Sequence, residues 1–187
     1  MRRDGCFGYH TQVCAVIGNP VAHSLSPASH TAAFDELDLD FVYIACQVEN
    51  VKDALAGMRA MHSFRGLSIT IPHKIEAMKH VDEIAEVDRT IGSINTVVNE
   101  RGQLFGLSTD GPGALKALVD AEVDMDRKNI LLLGAGGAAR AISFTLARNF
   151  KLGELSILDV NKTMLEQLTA DLKAGTEPPV KSELLTE

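Results

Sequence analysis

Two serines, a threonine, an asparagine, a lysine and an aspartate are the side chains best suited to hold and protonate a small polar molecule. Ser24 and Ser26 stand two apart in Gly18-Asn19-Pro20-Val21-Ala22-His23-Ser24-Leu25-Ser26-Pro27, so in an extended loop their hydroxyls point the same way. They can hold a carboxylate at a helix start, where backbone amides also face outward. The plainer reading makes Ser26 an N-cap and nothing more. Further on, Ser68 and Thr70 share one face of a strand while Leu67, Ile69 and Ile71 take the other. Lys74 follows, and the spacing places it in the first turn of a helix, where a cation opposes the dipole. Solvation explains it blandly; pairing with a carboxylate or donating a proton explains it chemically. Asn95 is unusual by propensity between strand residues and otherwise serves to bridge backbone groups. Asp110 is either the N-cap of the next helix or, if it meets Lys74 across strand ends, half of a proton-transfer pair.

A second kind of chemistry lies downstream. Asn129–Phe150 reads as an apolar strand, a glycine turn and a helix, and Gly134, Gly136 and Ala139 fit G-x-G-x-x-A. That turn lets a dinucleotide pyrophosphate rest on a helix N-terminus, and Asp159 ends the next apolar run where a ribose hydroxyl needs an acceptor. The pattern points to a nicotinamide or flavin dinucleotide.

The elements that must carry these residues alternate. Strands are expected at Val13–Ile17, Phe41–Cys46, Gly66–Ile71, Ile94–Asn99, Gln103–Leu107, Ile130–Leu133 and Leu155–Asp159. Helices are expected at Pro27–Leu37, Val51–Met61, His73–Met78, Asp82–Thr90, Pro112–Ala121, Ala138–Asn149 and Thr163–Ala174. Such alternation predicts an α/β fold with a mostly parallel sheet, interrupted by a hairpin at Asn99-Glu100-Arg101-Gly102. Pro27, Pro72 and Pro112 suit first turns of helices. A boundary near Pro112 separates a first domain, residues 1–111, from a dinucleotide-binding domain, residues 112–187. The tail Gly175–Glu187, with Pro178-Pro179 and several acids, is expected to fray.

Composition narrows the classes. With 45% hydrophobic and 23% charged residues the chain is an ordinary soluble globular one. A net charge of −7 without a basic patch argues against nucleic acid. No run approaches the apolar length of a membrane span, and Arg2-Arg3 lack the apolar stretch of a signal peptide. Cys6, Cys14 and Cys46 are odd in number and form no C-x-x-C pair, as expected of free thiols in a reducing cytosol. His23, His30 and His73 show no ligand spacing, so no metal is expected.

Taken in order, GNPVAHSLSPASH, GLSITIPHK, GSINT, STDGPG and GAGGAAR resemble the shikimate and quinate dehydrogenase family, from about Val13 to Lys173. The resemblance implies an α/β substrate-binding domain followed by the first part of a Rossmann NAD(P)-binding domain. It implies interconversion of shikimate and 3-dehydroshikimate, or of the quinate pair, with NAD or NADP, in aromatic amino acid biosynthesis or quinate use. By resemblance, Ser24 and Ser26 bind the substrate carboxylate, Thr70 contacts the substrate near its reacting end, and Asn95 hydrogen-bonds ring hydroxyls. Lys74 and Asp110 form the catalytic pair, and Gly134, Gly136, Gly137 and Ala138 line the pyrophosphate. The family usually has Asn where this chain has Thr31, Ser68 and Ser108. NADP-using members commonly carry Asn-Arg-Thr after the second cofactor-domain strand, whereas this chain has Leu158-Asp159-Val160-Asn161-Lys162. An aspartate there accepts from a free ribose hydroxyl and repels a phosphate, so NAD is favoured. Family members continue well past this length, which implies a C-terminally truncated chain encoding only the adenosine side of the cofactor site. The alternative is a non-catalytic shikimate-binding fragment. An unfinished sheet also leaves an edge for a second copy, so a homodimer is a further expectation.

Overall fold

A computed structural model describes residues 7–186. Arg2, Arg3, Cys6 and Glu187, read above from the sequence, lie outside the described residues. The described chain forms two compact units, one of residues up to Ala85 with Ile94–Leu107, the other of Glu86–Ser93 with the residues from Ser108 on.

The first unit is built on a mixed sheet of order β2-β1-β3-β5-β6-β4. Its strands are β1 (Gln12–Gly18), β2 (Phe41–Gln47), β3 (Phe64–Ile69), β4 (Glu83–Ile84), β5 (Thr96–Glu100) and β6 (Gln103–Leu107). β1 runs parallel to β2 and β3, the expected hairpin at Asn99–Gly102 makes β5 antiparallel to β6, and β5 also pairs antiparallel with β3. Helix α1 (Ser26–Glu36) follows β1, and α2 (Val51–Ala60) follows β2. In α2, Asn50 caps the helix by accepting from the Asp53 amide, and Val51, Leu55 and Met58 recur at helical spacing on the buried side. They pack against Ala15, Ile17, Leu67, Ile69 and Val97 of the sheet, which closes an aliphatic core.

The second unit holds α3 (Glu86–Ile91), α4 (Asp110–Asp120), β7 (Asn129–Leu133), α5 (Gly137–Asn149), β8 (Glu154–Asp159), α6 (Lys162–Gly175) and β9 (Val180–Leu184). β7, β8 and β9 form an all-parallel sheet in that order. Phe144, Leu155, Ile157, Leu165, Leu168 and Leu172 fill the core between the sheet and its helices. Gly111 lets α4 approach α5 closely, since a Cβ there would land on Thr145 Oγ1 and the Ala141 carbonyl. No helix among the described residues is long and apolar enough to cross a membrane.

Three expectations about elements are corrected. The tail does not fray: Val180–Leu184 pairs with β8, and the Leu155 amide donates to the Pro179 carbonyl at 2.9 Å. Its lone buried residue, Val180, and its alternating charges hid an edge strand. His73–Met78 is not a helix but a series of turns leading into a 3-10 helix at Glu76–His80, with Pro72 in the turns rather than in a first helical turn. Asp82–Thr90 divides into the short strand β4 and α3.

Asp88 of α3 is 3% exposed and accepts from the Ser108 amide at 3.1 Å. Burial pushes its carboxyl above the usual range, and the Ser108 amide only partly offsets this. A carboxyl with a raised folded pKa contributes stability below its unfolded pKa, and that contribution is lost as pH rises through the folded value. Asp88→Asn keeps an oxygen for the Ser108 amide, so it is expected to melt above the parent at pH 8, the gap closing towards pH 4. A gap independent of pH would rule this out.

Candidate active site and dinucleotide turn

The strand ends of the first unit meet around a cavity of about 400 Å³ lined by His23, Ser24, Ser26, Ser68, Thr70, Lys74 and Asn95 over a floor of Val16, Val21 and Ile69. A small polar ring compound fits that volume and lining. A larger cavity, about 970 Å³, lies in the second unit against Lys151, Thr176 and Pro178. Asp126 and Asn149 line it as well, but none of the candidate site residues read from the sequence lies there, so the motifs rather than size select the site.

Each wall is fixed by backbone bonds from a different element. The Lys74 loop is held by three: Asn19 N–H to Ile71 O at 2.9 Å, Thr70 N–H to Ile17 O at 2.9 Å, and Ile94 N–H to Lys74 O at 3.0 Å. His73 is 5% exposed and its Nε2 meets the Val48 carbonyl at 2.7 Å. It ties the loop to the chain leaving β2. Gly18 ends β1 where a Cβ would collide with Thr70 Cγ2, so only glycine lets that loop close on Thr70. Asn95 sits between strands: its amide donates to Leu107 O at 3.1 Å, its carbonyl accepts from Ile69 at 2.7 Å, and its Oδ1 accepts from Thr96 Oγ1 at 2.8 Å.

The plainer roles of two residues do not hold. Helix α1 begins one residue early, with Leu25 as N-cap and Ser26 at the first helical position, so Ser26 is not a cap. Ser24 Oγ accepts from the Ser26 amide at 3.3 Å. Asp110 is likewise not the N-cap of α4, a place taken by Thr109; it stands at the first helical position, where a carboxylate is favoured by the dipole. The dipole argument about Lys74 falls with the helix that was expected there.

Tyr43 was missed by sequence reasoning. It is 6% exposed, and its phenol donates to Ser68 Oγ at 2.6 Å. The signal was available: a buried tyrosine needs a partner for its hydroxyl, and period-2 alternation puts residue 43 on the same side of β2 as residue 41. Burial raises the Tyr43 pKa, opposed by its hydrogen bonds to Ser68 and Ser26.

In the second unit the glycine turn has the form the sequence implied. Gly134 takes φ +104°, a conformation that favours glycine. Gly136 caps α5, and a Cβ there would meet nothing nearer than Met164 Cε at 4.0 Å, which leaves open space above the turn. Gly137 and Ala138 open the helix with their amides at its positive end. Asp159 accepts from the Ala135 amide at 2.5 Å and from the Asn161 amide at 2.6 Å. Its carboxylate therefore braces the turn as well as standing at the end of β8. These residues fit a dinucleotide. Among the described residues, no group of three or more His, Cys, Asp or Glu side chains could hold a metal ion.

Comparison with known proteins agrees with this geometry. Residues 16–97 match the family model described as the shikimate dehydrogenase substrate binding domain. The chain is 43% identical to the shikimate dehydrogenase (NADP(+)) of Methanococcus maripaludis, over 87% of this chain and 58% of that protein. Shikimate 5-dehydrogenase from Listeria monocytogenes, solved with shikimate and NAD, superposes with a TM-score of 0.83 at 34% identity, covering 95% of this chain and 63% of that one. The 5-ketofructose reductase of a Gluconobacter species, solved ligand-free, gives a TM-score of 0.79 at 32% identity, over 96% of this chain and 64% of that one. The chain thus spans about 58–64% of the length of these proteins. On the motifs, the fold and these likenesses together, the chain belongs to the shikimate dehydrogenase family.

Proposed function

We propose that this chain carries the substrate site and the dinucleotide turn of an NAD(P)-dependent oxidoreductase interconverting shikimate and 3-dehydroshikimate. The observation that carries the reading is the meeting of Ser24, Ser26, Thr70, Lys74 and Asn95 around one cavity of about 400 Å³. Residues 1–111 serve the substrate and residues 112–187 the cofactor. Ser24 and Ser26 take the carboxylate, Asn95 and Thr70 the ring oxygens. Gly134, Gly136, Gly137 and Ala138 would hold the dinucleotide, which would supply the hydride chemistry when bound. Reduction of a ketone leaves an alkoxide, which needs a proton and a nearby positive charge. Lys74 gives both as an ammonium, and Asp110 is the carboxylate of the proposed catalytic pair. In the reverse direction the same pair takes the hydroxyl proton. Ser68 and Ser108, shorter than the Asn usual in the family, are the positions at which quinate would be preferred.

The test is shikimate- and quinate-dependent reduction of NAD+ and NADP+ by this chain, and by the chain together with any coding sequence that follows Glu187. Turnover of shikimate supports the reading. Shikimate binding without turnover in either form supports a non-catalytic binding fragment, and neither binding nor turnover rejects the substrate.

NAD is the finer proposal, and it rests on Asp159. Relatives carry NADP(+) in their names, but a carboxylate at the end of β8 repels a 2′-phosphate. Lys162, the nearby cation, is 3.8 Å from Glu166 and largely exposed. Removing one like charge at about 4 Å is worth on the order of tenfold. Asp159→Ser is therefore expected to raise kcat/KM for NADP+ relative to NAD+ about tenfold. The ratio cancels any loosening of the turn, because both dinucleotides share it. An unchanged ratio would remove the basis for favouring NAD.

A further inference from the structure

Tyr43 stands behind the substrate cavity. Its phenol donates to Ser68 Oγ at 2.6 Å. The ring stacks on His30, centroids 4.2 Å apart and planes 16° from parallel. His30 is in turn held by the Ser26 carbonyl, 2.9 Å from its Nδ1. The phenol is thus fixed by packing on one side and by Ser68 on the other.

A hydroxyl has one proton to give and two lone pairs to receive. A phenol is far more acidic than an alcohol, so between Tyr43 and Ser68 it is Tyr43 that donates. Ser68 has then accepted on its buried side and keeps its own proton for the other. That other side is the cavity, which Ser68 lines beside Ser24, Ser26 and Thr70. Ser68 backed by Tyr43 keeps its proton for the cavity, with one lone pair left over. Since the ring stacks on His30, which is bound to the Ser26 carbonyl, Ser68 stands on the Ser26 side of the cavity.

We infer that Tyr43 is a positioning residue which makes Ser68 a hydrogen-bond donor to the carboxylate of a cyclic hydroxy acid, alongside Ser24 and Ser26. This rests on the reading of the cavity as a shikimate site. The substrate class follows from the protons on offer: Ser68 Oγ has accepted from Tyr43 and Ser24 Oγ from the Ser26 amide, so both have a proton for the two oxygens of a carboxylate.

The experiment is isothermal titration of shikimate, and separately of shikimate methyl ester, into the chain and its Tyr43→Phe, Ser68→Ala and doubly substituted forms. Tyr43→Phe keeps the ring and its stacking on His30 and removes only the hydroxyl. It is expected to weaken shikimate binding about fivefold, the net worth of one hydrogen bond. Ser68→Ala is expected to weaken it by at least as much, and the double variant to be no weaker than Ser68→Ala alone. Both single variants should change the ester's affinity less than twofold. Additive losses, equal losses for acid and ester, or a Tyr43→Phe form indistinguishable from the parent would each overturn the inference. Failure of the unsubstituted chain to bind shikimate would instead overturn the reading of the cavity, and this inference with it.

Discussion

Lys74→Ala is expected to cut shikimate-dependent dinucleotide reduction by about 10²–10⁴-fold, the range lost with a positioned proton donor. NAD binding should be spared, because the glycine turn belongs to a different unit. The loss should fall on kcat, since the alkoxide exists only during reaction while the proposed contacts to shikimate itself are Ser24, Ser26, Thr70 and Asn95. Lys74→Arg separates charge from proton transfer: a guanidinium keeps the charge but does not give up a proton near neutrality. It should remain close to the alanine form. An arginine form with near-parental turnover would mean that Lys74 supplies only a field. An alanine form within tenfold of the parent would mean that the proton comes from another group. Steady-state kinetics at several pH values, in whichever form of the protein turns over shikimate, decide among these.

The largest loss of stability is expected from Arg140→Met. Arg140 is 7% exposed, its Nε donates to the Ile91 carbonyl at 2.8 Å, and its Nη2 meets Asp171 Oδ2 at 2.5 Å. One side chain of α5 thereby holds both the end of α3 and the face of α6. Gly92, at φ +76°, has room for no Cβ beside the guanidinium, since its Nη2 lies 3.0 Å away. Removing one partner of a buried ion pair costs about 3–5 kcal/mol. Asp171 is 30% exposed and can be partly rehydrated, which places the expected loss near the lower figure, about 3 kcal/mol. Arg140→Met with Asp171→Leu removes the stranded charge as well and should recover more than half of it. Urea unfolding of the single and double variants measures both. A single variant within about 0.5 kcal/mol of the parent, the range of an ordinary surface change, would show that α3 is held by packing alone.

Much of this was readable before the structure because two signals are strong in a single chain. Apolar runs bounded by turn residues located β1, β2 and β6 to within a residue or so. A glycine turn between a strand and a helix has few other uses, which is why Gly134, Gly136 and Asp159 stood where expected. The failures share a cause: they lie where tertiary bonds outweigh local preference. The Lys74 segment has helical composition, yet His73 is pulled onto the Val48 carbonyl and the Lys74 carbonyl is taken by Ile94. Val180–Leu184 shows almost no apolar period, and its place is set by the ladder that β8 offers. Tyr43 sat unremarked in an apolar run because a strand pattern counts its ring and overlooks its hydroxyl.

The chain passes between its two units at 85/86, at 93/94 and at 107/108. No single protease cut can therefore release one unit whole from the other, and no one crossover in the gene can exchange them cleanly. A fragment stopping at residue 107 would carry Glu86–Ser93 without the α5 side chain that binds the Ile91 carbonyl. A fragment starting at residue 108 would lack that helix altogether. The unit that holds the dinucleotide turn can be inherited intact only with the segment Glu86–Ser93, which the gene places amid the residues of the other unit.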